Sequence, residues 1–581
     1  MITDLGIGDH LRNRRGLAAI SAAFGSVFSL LLLPLWDFEP RWLYISVVSL
    51  VFVAILCLFI ARLSDFLLIA LIASVPIAGF AKLVISDEIS EVSTTFAPVS
   101  GAILFGVTDI LLIGLYLSWF WRVFALRIPA SKFSLGFIDW LVLAIGAGYI
   151  GSITYTIDAF LGLSAFEHYL KHSLVYFYVS RHFRSRHLPW LLGCIYLSLI
   201  LESGLGLFQY HSGTLVGLMH DKGSAGDKLN MQYEVYGIEG LTRATGTSYD
   251  SHTFGLYIAM MLPFPLTVLF TSSFKWAYRI VCGFLIVPAG LQAMAMTYSR
   301  SALLSCFISL LVMIILLVRL REKQTAPILI LLFIAGVFAV SALPDSAVQQ
   351  AIDRFATAPS EIITARIEQY SVATAIWLEH PIFGIGAGNY QEAIRSMNEN
   401  WALEQTVHNV FLFILAELGI FGVCGYYSLF FAGLILSYMR TFRSRTVIES
   451  RVALAIFTAM IVYQLDGITD PLFREPIVYL LFWIVLGVIV SFGIEQGNRS
   501  GCGCNDFCRS RMAPPPITPS DGCSRCWSRR ASNSVSWPGW LRSAACSRAS
   551  RWPSTARRCG DPRRRIARRS TWFRRLPMGL E

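Results

Sequence analysis

Ser301–Val318 reads SALLSCFISLLVMIILLV, eighteen residues without a charge, closed by Arg300 on one side and Arg319 on the other. At about 1.5 Å per residue this run covers about 27 Å as a helix, close to the roughly 30 Å hydrocarbon core of a bilayer. Lipid offers no partner to a bare N–H or C=O, so only helices and closed barrels cross it. Barrel strands alternate apolar and polar side chains, whereas this run is apolar throughout, and it therefore predicts a transmembrane helix.

Similar runs recur outward in both directions. Of the 581 residues, 55% are hydrophobic and 15% charged, against roughly 25% charged in a soluble domain. The mean hydropathy is +0.58. The fold expected is an all-α polytopic bundle of about twelve to fourteen spans, placed near 17–36, 42–61, 66–85, 98–119, 137–157, 160–180, 189–207, 253–271, 279–297, 301–319, 326–343, 408–437, 452–466 and 477–493. Whether 137–180 forms two helices or one with a re-entrant piece is open. The first run lacks a small-residue cleavage site and reads as a retained span. Cys57, Cys194, Cys282, Cys306 and Cys424 lie in apolar runs, where a thiol behaves as a small hydrophobe, so no disulfide framework follows.

Arg and Lys collect on cytoplasmic loops. An inside N-terminus puts Arg12, Arg14 and Arg15, the group Arg122, Arg127 and Lys132, and the group Arg181, Arg184 and Arg186 on that side. It also puts there Lys275 with Arg279, then Arg319, Arg321 and Lys323, then Arg440, Arg443 and Arg445. Spans 1–207, 253–343 and 408–497 are then separated by two long outer loops, 208–252 and 344–407. Such loops on a rigid scaffold are where function concentrates. The localisation expected is a bacterial inner membrane with its active face periplasmic.

The segment 498–581 differs in kind. From Arg499 onward it holds 18 Arg, no Lys and four acidic residues, a charge of +14 that leaves −3 for the rest of a chain carrying +11. It has no apolar period. Cys502-x-Cys504-x3-Cys508 and Cys523-x-x-Cys526 lack a second pair at zinc-ligand spacing. A basic tail on anionic lipid is one reading. The abrupt shift in composition favours another, an out-of-frame or disordered tail without function.

The chemistry-bearing residues sit at the outer ends of spans. His408-Asn409-Val-Phe-Leu412 opens a helix that continues through Glu417-x-Gly419-x-x-Gly422. A ring at this boundary can exchange a proton with a substrate, or it can simply anchor the helix end. Glu417, nine residues on, falls on the opposite face of a regular helix and roughly 13 Å deeper, so the two are no dyad. Instead the carboxylate is expected to meet a neighbouring helix, as intramembrane charges do. Upstream, Pro381-Ile-Phe-Gly384-Ile-Gly386-Ala-Gly388-Asn389-Tyr390 has the backbone freedom for a tight turn and close approach of a ligand, without the strand context of a dinucleotide fingerprint. Arg366 lies on an amphipathic segment with Ile367, Tyr370, Ala373 and Trp377, and is either functional or a solvated loop residue. Arg300, in Ser299-Arg300-Ser301, sits on the side that should be poor in positive charge; its guanidinium either forks onto phosphate oxygens or snorkels to the headgroups. Arg243 and His252 precede another span in Arg243-Ala-Thr-Gly246-Thr-Ser-Tyr-Asp250-Ser-His252.

In this order, the Ser-Arg-Ser link, an Arg before Pro-x-x-Gly-x-Gly-x-Gly-Asn-Tyr, and the His-Asn-x-x-Leu…Glu-x-Gly-x-x-Gly helix, the chain resembles the O-antigen ligase and polysaccharide polymerase (Wzy-type) superfamily over roughly 240–490. The resemblance implies a glycosyltransferase at the periplasmic face, using no metal, nucleotide sugar or other cofactor. It implies an undecaprenyl-diphosphate-linked glycan as donor, a glycan or lipid A-core as acceptor, the bilayer as environment and no nucleic-acid partner. Arg300 and Arg366 would hold the diphosphate and His408 would orient or deprotonate the acceptor. Arg243, His252, Gly384, Gly386, Gly388, Asn389, Tyr390 and Asn409 are candidate substrate contacts. A polymerase making exopolysaccharide or O-antigen comes first and a ligase second. A solute transporter is the alternative of another class, but no internal repeat appears and the suspicious charges gather at the boundary, not at mid-membrane.

Overall fold

The computed structural model describes residues 63–78, 81–86, 102–125, 135–212, 234–235, 238–248, 250–322, 325, 360–397 and 406–509. The spans expected at 17–36, 42–61 and 326–343, Cys57 and the basic group at Arg12 lie outside the described residues, as do the tail beyond 509 and much of both long loops. The chain divides into two units, Met1–Gly503 and Cys504–Glu581, and the candidate site lies wholly in the first.

Among the described residues, nine helices are long and apolar enough to cross a membrane, which makes the chain a multi-pass membrane protein. In chain order the helices are α1 (Leu63–Ala73), α2 (Val107–Phe120), α3 (Phe137–Ser152), α4 (Ala159–His182), α5 (Leu188–Ser212), α6 (Ser251–Met261), α7 (Pro263–Phe270), α8 (Trp276–Val281), α9 (Val287–Ala295), α10 (Arg300–Arg319), α11 (Ser360–Glu379), α12 (Tyr390–Met397), α13 (Val410–Arg443) and α14 (Val447–Asp466). The last, α15, has the apolar span Pro476–Ile494. Two antiparallel ladders of two strands, Ala81–Ser86 with Ala102–Gly106 and Glu234–Val235 with Ile238–Thr242, leave the all-α reading intact, but the first takes residues from the spans expected at 66–85 and 98–119, where the described helices are Leu63–Ala73 and Val107–Phe120. The open question at 137–180 resolves as two helices, α3 and α4, joined through a single turn at Ile153–Tyr155.

The apolar run Ser301–Val318 also shows its environment. On α10, Leu304, Phe307, Leu311, Ile315 and Val318 are exposed at helical spacing, whereas Ala302, Cys306, Ser309, Met313 and Leu317 are buried. A stripe of large apolar side chains facing out is stable against lipid tails and not against water. The centre of the bundle is the pair α6 and α7, every residue of which is buried except His252 at the start of α6. Around it pack α9, α10 and α14, and α14 also lies along α13. Lipid is as apolar as a core, so close packing and polar contacts hold such helices together. The close approach rests on small residues: a Cβ on Gly433 of α13 would lie 2.8 Å from Leu486 and 2.8 Å from Met460.

Short polar side chains start the helices. Asp250 accepts from the Thr253 amide at 2.9 Å, Ser299 from Ala302 at 3.3 Å and Asn409 from Leu412 at 3.1 Å. These three caps bring the starts of α6, α10 and α13 to the cluster described next.

Candidate active site

Four stretches that are far apart in the chain meet around one carboxylate, Asp470, in the link between α14 and α15. Ser301 donates to its Oδ2 at 3.0 Å. The Nδ1 of His252 lies 3.4 Å from the same oxygen, and the Nε2 of His408 lies 3.9 Å from Oδ1. The link is pulled into place from α13: Val410 N–H donates to Gly467 O at 2.8 Å and Asn409 Nδ2 to Ile468 O at 3.1 Å. Asn409 thus both caps α13 and docks the link. Ser299 completes the ring, 3.2 Å from His252 Nδ1 and 3.1 Å from Ser301 Oγ.

Hydrogen-bond partners fix the tautomers. The backbone N–H of His408, which can only donate, points at Gln369 Oε1 at 3.4 Å, and His408 Nδ1 is 2.9 Å from the same atom. That atom is therefore the amide oxygen, Nδ1 carries the proton, and in the neutral ring Nε2 keeps a lone pair facing Asp470. The same logic applies to His252. Arg243 Nη2, a donor only, sits 3.2 Å from His252 Nε2, so the neutral ring carries its proton on Nδ1, toward Ser299 and Asp470.

Burial is the largest influence on His408, disfavouring the imidazolium. Arg366 and His252 add to this and Asp470 opposes it, and the ring is held below its ordinary value of 6.5. Burial would raise Asp470, but the imidazole of His252, then His408 and Arg366, outweigh it and keep the carboxyl below its ordinary value. The cluster thus pairs a neutral, partly exposed imidazole with a buried anion, the arrangement a general base requires.

Arginines surround it. Arg366 stands on α11 one turn before Gln369, near enough for its charge to act on both His408 and Asp470. Arg300 is the first residue of α10, half-buried between two serines that belong to the ring. Just before it Tyr298 holds a left-handed conformation (φ 52), a strained backbone of the kind that collects at functional sites. Arg243 is anchored through Nε to Thr297 O at 2.8 Å. His408, Arg366, His252 and Arg243 are thus brought together, with Arg300 at the edge of the ring.

The glycine segment has other partners. Helix α13 is broken at Gly419 (φ 63, ψ −163), which frees carbonyls before the break and N–H groups after it. Pro381–Asn389 fills the gap: Ile385 and Gly386 N–H donate to Ala416 O and Glu417 O at 3.1 and 3.0 Å, while Ile420 and Phe421 N–H donate to Pro381 O and Ile382 O at 3.0 and 3.2 Å. Gly384 (φ 66) is required here, because a Cβ would lie 2.3 Å from Glu417 C. Gly386 and Gly388 likewise hold positive φ. What approaches the glycines closely is the broken helix. Asn389 is buried, accepting from Asp158 N–H at 2.7 Å and donating to Ala387 O at 3.0 Å. Tyr390 is buried edge-on against Phe413.

Beneath this seal Glu417 pairs with Arg474, both buried, and the guanidinium also donates to Tyr149 OH at 3.1 Å. A partner for Glu417 was the expectation, and the partner is the residue four after Asp470. Asp470, Gln369 and Arg474 carry no motif that a linear reading would single out. The one available signal is the density of charge in Asp466-Gly-Ile-Thr-Asp470-Pro-Leu-Phe-Arg474-Glu475, a short link between two very apolar spans.

Comparison with curated proteins gives no match. Residues 289–427 match the family model described as O-antigen ligase. This segment runs from α9 through Arg300, Arg366, the glycine seal and His408 into the second half of α13. Over this segment, which carries Arg300, Arg366, Gln369 and His408 but not Arg243, His252 or Asp470, the chain is similar to the O-antigen ligase family.

Proposed function

We propose that this protein transfers a glycan from a polyprenyl diphosphate, undecaprenyl diphosphate in an inner membrane, to an acceptor hydroxyl at the periplasmic face, and that it acts as a polymerase of lipid-linked repeat units. The observation that carries this reading is the neutral imidazole of His408, with Nδ1 committed to Gln369 and Nε2 facing the rim beside Asp470. In the reaction the acceptor oxygen attacks the anomeric carbon while its proton passes to His408 Nε2. The bond from that carbon to the diphosphate oxygen breaks, and the lipid diphosphate leaves with the electron pair. Asp470 stabilises the imidazolium that forms, and Arg300 and Arg366 neutralise the departing charge as it develops. His252, oriented by Arg243, keeps Asp470 in place. The reading uses neither a nucleotide sugar nor a metal. Gly384, Gly386, Gly388, Asn389 and Tyr390 serve by keeping α13 broken at the right depth, and Asn409 by docking the Asp470 link.

Transfer of finished glycan to lipid A-core needs the same donor chemistry and a different acceptor. Glycan analysis of a strain lacking this chain separates the two. Loss of polymer, with single repeat units left on the lipid carrier, is the expected result. Full-length polymer accumulating on its carrier and absent from lipid A would make the protein a ligase, and unchanged glycan in every fraction would remove the glycosyltransferase reading.

A further inference from the structure

A cavity of about 210 Å³ opens at the other end of the bundle, among the start of α1, the turn after α2, the end of α4 and the link into α5. Helix α5 sets the separation. It begins beside this cavity, and 25 residues later its far end holds the backbone near the candidate site, where Gln209 accepts from Gly246 N–H at 2.8 Å. At 1.5 Å per residue the two ends are about 37 Å apart, a membrane's width.

The walls are cationic. Among the described residues Arg122, Arg184 and Arg186 line the cavity against one carboxylate, Asp65. That carboxylate is already engaged, by Arg186 Nη2 at 2.9 and 3.0 Å and by His187 at 3.3 Å. Arg122 is tethered by a bond to Ser64 Oγ at 3.1 Å. Among the described lining residues three guanidinium groups stand against one carboxylate, Arg184 also donating to Phe183 O at 2.8 Å, and the stacked pair Tyr178 and His182, with ring centroids 4.2 Å apart, completes the wall. Next to it Phe120, Phe124 and Trp190 are exposed, aromatic side chains of the kind that settle at headgroup depth.

We propose that this cavity binds a phosphate group, with Arg122 and Arg184 as the forks that grip it and Asp65 holding Arg186 at the rim. Planar guanidinium pairs match phosphate oxygens, and basic pockets between transmembrane helices at this depth take phospholipid headgroups. The same chemistry fits the phosphate of an anionic lipid or of a soluble solute, and the cavity does not depend on the glycosyl-transfer site at the opposite end.

The test uses the full chain reconstituted in vesicles of phosphatidylglycerol and phosphatidylcholine in equal parts, then released into detergent, with co-purifying lipid read by native mass spectrometry. Wild type is expected to retain phosphatidylglycerol over phosphatidylcholine, and Arg122→Ala with Arg184→Ala to retain at least five-fold less. Arg122→Lys with Arg184→Lys preserves charge but not the fork; it is expected to fall between the two, and it keeps the test valid if the alanine variant does not fold. Release of the lipid by 20 mM inorganic phosphate assigns the cavity to a soluble phosphate-bearing ligand, and retention assigns it to a lipid headgroup. Undiminished retention by both double variants, or equal retention of both lipids by wild type that 20 mM inorganic phosphate does not change, overturns the proposal.

Discussion

At the scale of single residues the proposed chemistry turns on which nitrogen of His408 is free. Gln369 Oε1 settles it by accepting from the backbone N–H and from Nδ1. A base acts in its neutral form, and burial together with Arg366 and His252 holds this imidazole below its ordinary value of 6.5. Activity is therefore fully present above that value and is lost only as pH falls through the lowered one, so the acid limb of the pH–rate profile should lie below 6.5. Asp470 is the neighbour that pulls His408 upward, so Asp470→Asn should move the limb to still lower pH while reducing the maximal rate. A limb at or above 6.5, or one moved upward by Asp470→Asn, would contradict the assignment. His408→Ala should lower turnover by about 10²- to 10⁴-fold, the range a lost general base costs, with the protein still inserted.

At the scale of elements the sequence was legible in part. The continuous apolar runs mark where helices lie, because lipid imposes a local rule on the backbone. The basic and imidazole residues at the span ends were visible because each stands out against apolar neighbours. Asp470 and Gln369 were not, since their importance comes from the docking of a link and a helix distant in sequence. Three alternating glycines indicate a tight backbone, but the linear pattern cannot say that what comes close is a broken helix and not a ligand. Gly419→Ala should cost about 1–3 kcal/mol from its left-handed backbone alone, and more from the contact of the new Cβ with Ile382 O at 2.3 Å. Thermal melting in detergent reads this, and a melting temperature equal to wild type would reject the seal. Below it, Arg474→Met strands a buried carboxylate and should destabilise by about 3–5 kcal/mol, whereas Arg474→Met with Glu417→Leu should recover most of the loss. Equal destabilisation by the single and double variants would mean that the pair is not what matters.

At the scale of the whole molecule, the ring around Asp470 and the cavity at Arg122 lie at opposite ends of α5, and positive charge collects at the second. With the cytoplasm on the side rich in Arg and Lys, cysteines introduced at 300, 366 and 408 should react with a membrane-impermeant maleimide added to intact spheroplasts, and one at 186 should react only after lysis. The reverse pattern would invert the topology and remove the periplasmic site. Removal of residues after 497, where the composition becomes Arg-rich without an apolar period, is expected to leave glycan production unchanged. Reduced product would assign the tail a role.

On the proposed mechanism the cluster of His408, Arg300 and Asp470 performs transfer from a lipid diphosphate. The most direct measurement is in vitro turnover of a purified lipid-diphosphate glycan by reconstituted wild type, Arg300→Ala and His408→Ala, with protein amounts matched. Released lipid diphosphate and lengthened or transferred glycan are expected with wild type, and loss of both with either variant at normal thermal stability. Undiminished release by the two variants would contradict it.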